Sequence, residues 1–177
     1  MTADSSGIAS IVTQIGMKQF TAEELSSLVG TSEEVDRLIA SSSHTRGDTL
    51  EKLACSNYES VRQMVQSNPN TPLEVLMDLA DEYPQAFLLN PTSLRTLLED
   101  PGVLESLHES TLAKILEQKD CPLHVVCWAW NFYKRRRFFS SKVLKGVAAN
   151  PSTPVRIIAS ILRLEAGSEL TCEEGWL

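Results

Sequence analysis

The sequence predicts an all-α chain organised as an irregular helical repeat, and three observations predict it. Ser67-Asn68-Pro69-Asn70-Thr71-Pro72 has a close copy in Asn150-Pro151-Ser152-Thr153-Pro154 and a shortened one in Asn90-Pro91-Thr92-Ser93. Apolar residues three and four apart flank each copy, a spacing that places them on one side of a helix. The composition is 42% hydrophobic but only 6% aromatic, which suits layers built on Leu, Val and Ile rather than an aromatic-rich β core. An Asn-Pro turn recurring between helical segments marks stacked units, none of which buries its apolar face alone.

The bulk numbers bound the rest. A chain of 177 residues makes one domain or a short array. A net charge of −7 and a pI near 5.0 describe a soluble protein and oppose general nucleic-acid binding. No run of about 18 apolar residues is present, so no membrane span is expected. Met1 to Ser6 lacks the basic-then-apolar layout of a signal peptide, and the expected location is cytoplasmic. Cys55, Cys121, Cys127 and Cys172 form no C-x-x-C pair. They are expected to be buried thiols, with no disulfide framework, metal site or cofactor.

Taken in order, residues 1–9 are polar and small and predict a frayed end. A first helix is predicted from Ile11 to Phe20. Thr21-Ala22-Glu23-Glu24 matches a capping box, opening a helix that buries Leu25, Leu28 and Val29 and stops at Gly30. Thr31-Ser32-Glu33-Glu34 matches a second box, with Val35, Leu38 and Ile39 inward. Helix, glycine and helix over 21–40 invite a helix-turn-helix reading. However, Asp36 stands where the branched residue belongs, and Glu33, Glu34 and Asp36 would repel phosphate. Two capped structural helices account for the stretch better.

The repeat then takes over. Residues 39–46 form a degenerate copy, and a worn one lies at Gln118-Lys119-Asp120-Cys121-Pro122. The equivalent positions Ser42, Asn68, Asn90, Gln118 and Asn150 are separated by 26, 22, 28 and 32 residues, so loops of varying length surround one unit. The incoming segments carry Val35/Ile39, Val61/Val65, Thr111/Ile115 and Val143/Val147. The outgoing ones carry Leu50/Leu53, Leu73/Leu76/Leu79, Leu94/Leu97/Leu98, Leu123/Val126 and Val155/Ile158/Ile161. Pro69 and Pro151 hold the preceding asparagine out of the α region. Thr71 and Thr153 are expected to cap the outgoing helices, with Pro72 and Pro154 at the first helical position. Residues 95–117 read as an insertion with a helix from Val103 to Leu107, and 165–177 as a loose acidic tail.

The pattern Val-Arg-x-x-Val-x-x-Asn-Pro-x-Thr-Pro-x-x-x-Leu-x-x-Leu-Ala, which here runs from Val61 through Leu76 to Ala80, resembles the variant leucine-rich repeat family. The resemblance covers about residues 35–164, as roughly five repeats behind an N-terminal cap of residues 1–34. It implies an irregular right-handed α-solenoid of alternating short (3-10 or α) and longer helices. Some members of that family carry an iron–sulfur cysteine cluster; this chain lacks those cysteines, so the cofactor is not carried over. The family lends no general catalytic activity, and a fold does not dictate function.

Charge is unevenly spread. Between Cys121 and Leu164 lie eight basic residues (Lys134, Arg135, Arg136, Arg137, Lys142, Lys145, Arg156 and Arg163) and no acidic one. The remaining eight basic and 23 acidic residues leave the rest of the chain at −15. Trp128, Trp130, Phe132, Tyr133, Phe138 and Phe139 accompany the cluster. Arginines make bidentate bonds to carboxylate or phosphate, and aromatic faces stack. The candidate partner-binding residues are therefore Trp130, Tyr133, Lys134, Arg135, Arg136, Arg137, Lys142 and Lys145. The competing reading is a solvated loop paired with the acidic tail, Glu169, Glu173 and Glu174, while the aromatics pack the last repeats. Trp176 near the end of the chain is a further candidate docking aromatic.

His44, His108 and His124 are scattered, and no P-loop, GxGxxG or Cys-His spacing is present, so a non-enzyme is expected. The expected function is a non-catalytic scaffold that binds a protein through the repeat surface and its basic end. The alternative is a nucleic-acid-binding module using 128–145, and a third reading is a structural or self-associating domain.

Overall fold

The computed structural model describes residues 5–16, 20–134 and 141–165. Among them the secondary structure is helical throughout, with no strand. The chain divides into two compact units, residues 1–99 and 100–177.

The first unit holds α1 (Ser5–Gly16), α2 (Ala22–Leu28), α3 (Glu33–Ser41), α4 (Gly47–Ala54), α5 (Glu59–Ser67), α6 (Leu73–Asp78), α7 (Pro84–Leu89) and α8 (Pro91–Glu99). The first helix starts at Ser5 rather than Ile11 and ends before Phe20. Its Ile11 and Val12 pack on the core that contains Val35 and Ile39, so helical order extends into a stretch whose composition alone predicts fraying. The Thr21 capping box is present: Glu24 N–H donates to the Thr21 hydroxyl oxygen, and Thr21 N–H donates to the Glu24 carboxylate. Gly30 follows the α2 cap at φ +83, the left-handed conformation that glycine takes without steric cost.

The second box is not formed as expected. Ser32, not Thr31, caps α3, and accepts from Val35 N–H. The Thr31 hydroxyl instead donates back to Leu28 O at 2.6 Å, closing the end of α2. With the start shifted by one, no glutamate stands at the third helical position. Asp36 turns inward, 6% exposed, and accepts from Gly30 N–H at 2.7 Å.

The turns obey a common hydrogen-bond scheme. Asn68 and Asn90 end α5 and α7 in extended conformation, as the following prolines require. Each buried asparagine amide reaches back one copy. Asn68 Nδ2 donates to Ala40 O (2.7 Å) and Ser42 O (2.9 Å), and Asn90 Nδ2 to Gln66 O and Asn68 O, both 2.9 Å. Asn150 Nδ2 repeats this on Leu116 O (2.6 Å) and Gln118 O (2.9 Å) in the second unit. The other end of each amide accepts from the backbone two residues on, at Asn70, Thr92 and Ser152. A primary amide is the group suited to this position, since it supplies two donors and an acceptor together. Gln118, one methylene longer in the worn copy, donates to Lys114 O of its own helix.

A second bond closes each turn. Thr45, Thr71 and Thr153 hydroxyls donate to the carbonyls six residues earlier, Ile39, Val65 and Val147, at 2.6, 2.6 and 2.5 Å, and Ser93 does the same to Phe87. The expected forward capping by Thr71 and Thr153 is therefore corrected. Carbonyls in the last turn of a helix lack intrahelical partners, and these buried hydroxyls supply them. Pro72 occupies the cap position of α6 rather than its first turn. Cys121 sits in the corresponding slot of the worn copy, buried and without a hydroxyl.

The incoming apolar pairs all turn inward: Val35, Ile39, Val61, Val65, Ile115, Val143 and Val147 are fully buried and Thr111 nearly so. In the first unit α3 packs on α5 and α5 on α7. The outgoing helices bury most of the residues expected inward, Leu50, Leu53, Leu76, Leu79, Leu97, Val126 and Ile161, but Leu98, Leu123 and Val155 are exposed, while Val125 and Ile157 are buried. In α10 and α12 the helix begins only after the proline, so its third residue, not its first, meets the core.

The second unit contains a 3-10 helix (Pro101–Ser106), α9 (Glu109–Glu117), α10 (Leu123–Tyr133), α11 (Ser141–Ala149) and α12 (Val155–Glu165). The predicted insertion is shorter than 95–117, because α8 runs to Glu99 and α9 starts at Glu109. Its helix is 3-10 and starts at Pro101, with Asp100 accepting from Gly102 N–H at 2.7 Å. This is the one 3-10 helix among the described residues. The other helices are α; the expected alternation of short (3-10 or α) and longer helices fits α7 and α8, of six and nine residues, but not α3 and α4, of nine and eight. α9 and α11 pack closely enough that a Cβ on Gly146 would lie 2.7 Å from Ala113 O.

Candidate partner-binding site

The basic stretch spans α10, α11 and α12 of the second unit. Of the predicted residues, Arg135, Arg136 and Arg137 lie outside the described residues, as do Phe138 and Phe139. Trp130 and Tyr133 are each 3% exposed and form the buried face of α10 with Val125, Val126 and Ala129, which corrects their assignment as surface contacts. Trp130 stands four residues after Val126 and Tyr133 four after Ala129, which puts both rings on the core side of the helix.

Lys134 is half-buried at the α10 C-cap, with Nζ 5.5 Å from the centroid of the Trp130 ring. That placement is favourable twice over, as a cation over an indole face and as a positive charge at a helix C-terminus. Lys142 and Lys145 are exposed one turn apart on α11, and Arg156 and Arg163 are exposed two turns apart on α12. Among the described aromatics of this stretch, Trp128 and Phe132 reach the surface, half-buried and stacked one turn apart, with centroids 5.4 Å apart and rings 17° from parallel. Phe132 also meets Tyr133 edge-on at 5.1 Å. The same helix thus sends one aromatic pair into the core and one to the surface. The sequence alone does not say which, because six aromatics in twelve residues blur the helical period.

The cysteines divide by environment. Cys121 is buried, which pushes its thiol up to about 12 and leaves it unreactive at neutral pH. Cys127 is half-buried, Cys55 is exposed against expectation, and Cys172 lies outside the described residues. Cys55 is the residue after α4, where the chain turns away from the core. The three histidines are exposed, with His108 accepting from Ser110 N–H at the start of α9. Among the described residues no group of three His, Cys, Asp or Glu is placed to hold a metal ion, and no helix is long and apolar enough to cross a membrane.

A connected polar cluster lies in the first unit. The Arg62 guanidinium meets both Glu82 oxygens, at 3.0 and 2.5 Å, and donates to Ser56 O. The Tyr83 hydroxyl donates to the Glu82 carboxylate at 2.7 Å and lies 3.2 Å from Glu59 O. Arg62 holds the Glu82 carboxyl below its ordinary range, and burial with the adjacent carboxylate pushes Tyr83 up to about 12. Arg62 belongs to the repeat pattern as Val-Arg, and its partners show a structural role: it ties the start of α5 to the loop before α7. Comparison with protein-family models, with curated proteins and with solved structures finds no match for this chain.

Proposed function

We propose that the chain is a non-catalytic binding module of the variant leucine-rich repeat type, wound as a right-handed α-solenoid, that recognises an acidic protein surface through the basic face of residues 121–164. The repeat reading is supported by the asparagine amides, which bond the preceding copy at matching carbonyls at Asn68, Asn90 and Asn150. The observation that carries the partner class is that Lys142, Lys145, Arg156 and Arg163 are all exposed within 44 residues that contain no carboxylate side chain. Such a one-signed surface on a chain of net charge −7 attracts anions locally while the molecule as a whole repels polyanions. That balance favours a compact acidic protein over nucleic acid. The scattered, exposed histidines and the inert Cys121 support a non-catalytic role.

The half-exposed Trp128–Phe132 stack favours a second reading, single-stranded nucleic acid, since such pairs accept unstacked bases. An affinity pull-down from native lysate, with and without nuclease, decides between them. It is run beside Lys142→Glu/Lys145→Glu and Arg135→Glu/Arg136→Glu/Arg137→Glu chains. A protein retained after nuclease and lost from both variants supports the proposal. Material that disappears on nuclease treatment supports the second reading. Retention of every partner by both variants overturns the site.

A further inference from the structure

The two units of the chain differ in charge. Residues 1–99 carry 14 acidic and six basic residues, a net −8, and residues 100–177 carry nine and ten, a net +1. Several exposed carboxylates of the first unit are engaged locally: Glu23 with Arg46, Glu82 with Arg62 and Glu99 with Arg95. Glu74 and Asp78 are not. They are exposed one turn apart on α6, a helix with no basic residue, and neither has a side-chain partner among the described residues. Like charges at this spacing repel, and Asp78 adds a negative charge to the C-terminal end of the helix. Half-buried Leu73 and Met77, also one turn apart, lie alongside.

α11 in the second unit has the complementary chemistry. Lys142 and Lys145 are exposed one turn apart on a helix with no acidic residue, again without a partner among the described residues. Lys142 stands in the first turn, where the helix dipole disfavours a cation. Ala148 and Ala149 continue that side, and side chains this small let another helix approach closely. We infer that the partner of the basic face is a second copy of this chain, whose α6 sets Glu74 and Asp78 against Lys142 and Lys145. Leu73 and Met77 then lie over Ala148 and Ala149. The inference rests on the reading of that face as a site for an acidic protein, and it names the protein. Each pair of charges is one turn apart, so both ion pairs close together and relieve the repulsion on both helices. At physiological salt, charges more than about 8 Å apart are largely screened, so the net −7 does not prevent the close contact. Every copy carries both patches, so the contact is heterologous and extends beyond a dimer. Exposed ion pairs are individually weak, which makes the association reversible and concentration-dependent.

The test is sedimentation equilibrium of the full chain at physiological salt, over a roughly hundredfold range of concentration. The average mass is expected to rise from the 19.6 kDa of one chain past that of a dimer. Glu74→Gln/Asp78→Asn and Lys142→Gln/Lys145→Gln are each expected to weaken association at least about tenfold. Mixed in equal amounts, the two variants keep one acidic and one basic patch between them, so they are expected to form a dimer and nothing larger. Dimer formation in the mixture also shows that both variants are folded. A natural chain that stays monomeric throughout overturns the inference. So does association that survives either pair of substitutions, or a mixture that stays monomeric. Titration with a glutamate-rich peptide then separates the two failures. A peptide bound by the natural chain and lost by Lys142→Gln/Lys145→Gln means that only the second copy is the wrong partner. A peptide bound by neither means that the acidic-protein reading fails as well.

Discussion

Asn68→Ala tests the turn scheme at its most connected point. Asn68 is 3% exposed and makes three bonds: two donated by Nδ2 to Ala40 O and Ser42 O, and one accepted by Oδ1 from Asn70 N–H. A typical intramolecular hydrogen bond contributes about 1 kcal/mol net, and a buried group left without its partner costs more. Removing three bonds at a buried site therefore predicts a loss of roughly 3–4 kcal/mol, a large share of the 5–15 kcal/mol or so that stabilises an ordinary domain. Asn70 provides the control. It is exposed and donates to Ser43 O and Thr45 O at 2.8 and 3.1 Å, so water replaces it and Asn70→Ala is expected to cost about 1 kcal/mol or less. Urea unfolding followed by far-ultraviolet circular dichroism measures both. Asn150→Ala, with the same bonds in the second unit, is expected to match Asn68→Ala. The reasoning is refuted if Asn68→Ala costs no more than Asn70→Ala.

Other consequences are checked by the same unfolding measurement. Gly146→Ala places a methyl 2.7 Å from Ala113 O and is expected to destabilise by about 1–3 kcal/mol as α9 and α11 are forced apart; an unchanged midpoint contradicts the packing. Thr71→Val keeps the shape but loses the buried bond to Val65 O, for an expected cost of about 1–2 kcal/mol, whereas Thr71→Ser retains most of it. Burial raises the folded pKa of Asp36 above its ordinary value, so ionised Asp36 costs stability at neutral pH, and that cost is relieved as pH falls through the folded pKa toward the unfolded one. Against Asp36→Asn, the natural chain is therefore expected to gain relative stability on acidification, and a constant difference across pH would count against the assignment. Glu82 has the opposite sign. Arg62 lowers its folded pKa, so its contribution is present above the unfolded value and is lost as pH falls through the folded one; Glu82→Gln is expected to flatten that acid-side loss.

What was legible in the sequence was the local chemistry. The Thr21 box and the left-handed Gly30 are set by residues within three or four positions, and so is the extended asparagine before proline. The apolar pairs of the incoming helices were legible for the same reason, since one helical face repeats every three or four residues. The functions of Asn68 and Thr71 were not, although both stood out as repeated. Their partners lie 26 to 28 residues back in one case and six back in the other, distances that no local period reveals. On the outgoing helices the spacing places Val126 and Ile161 correctly, but Leu123 and Val155 are the first residues of α10 and α12 and stand outside the core, which begins two residues later at Val125 and Ile157. At the candidate site, charge was readable because exposed cations need no phase. The roles of Trp130 and Tyr133 depended on which side of α10 faced the core. That was decided by Val125, Val126 and Ala129 rather than by the rings themselves.

The central claim is that the basic face of residues 121–164 takes an acidic protein. Calorimetric titration of the full chain with an acidic peptide, and separately with single-stranded RNA of equal charge, tests it most directly. The account predicts saturable binding of the peptide that weakens at least about tenfold in Lys142→Glu/Lys145→Glu and falls with added salt, with weaker binding of the RNA. Peptide binding that is absent, or that is indifferent to both the charge reversal and the salt, would contradict it.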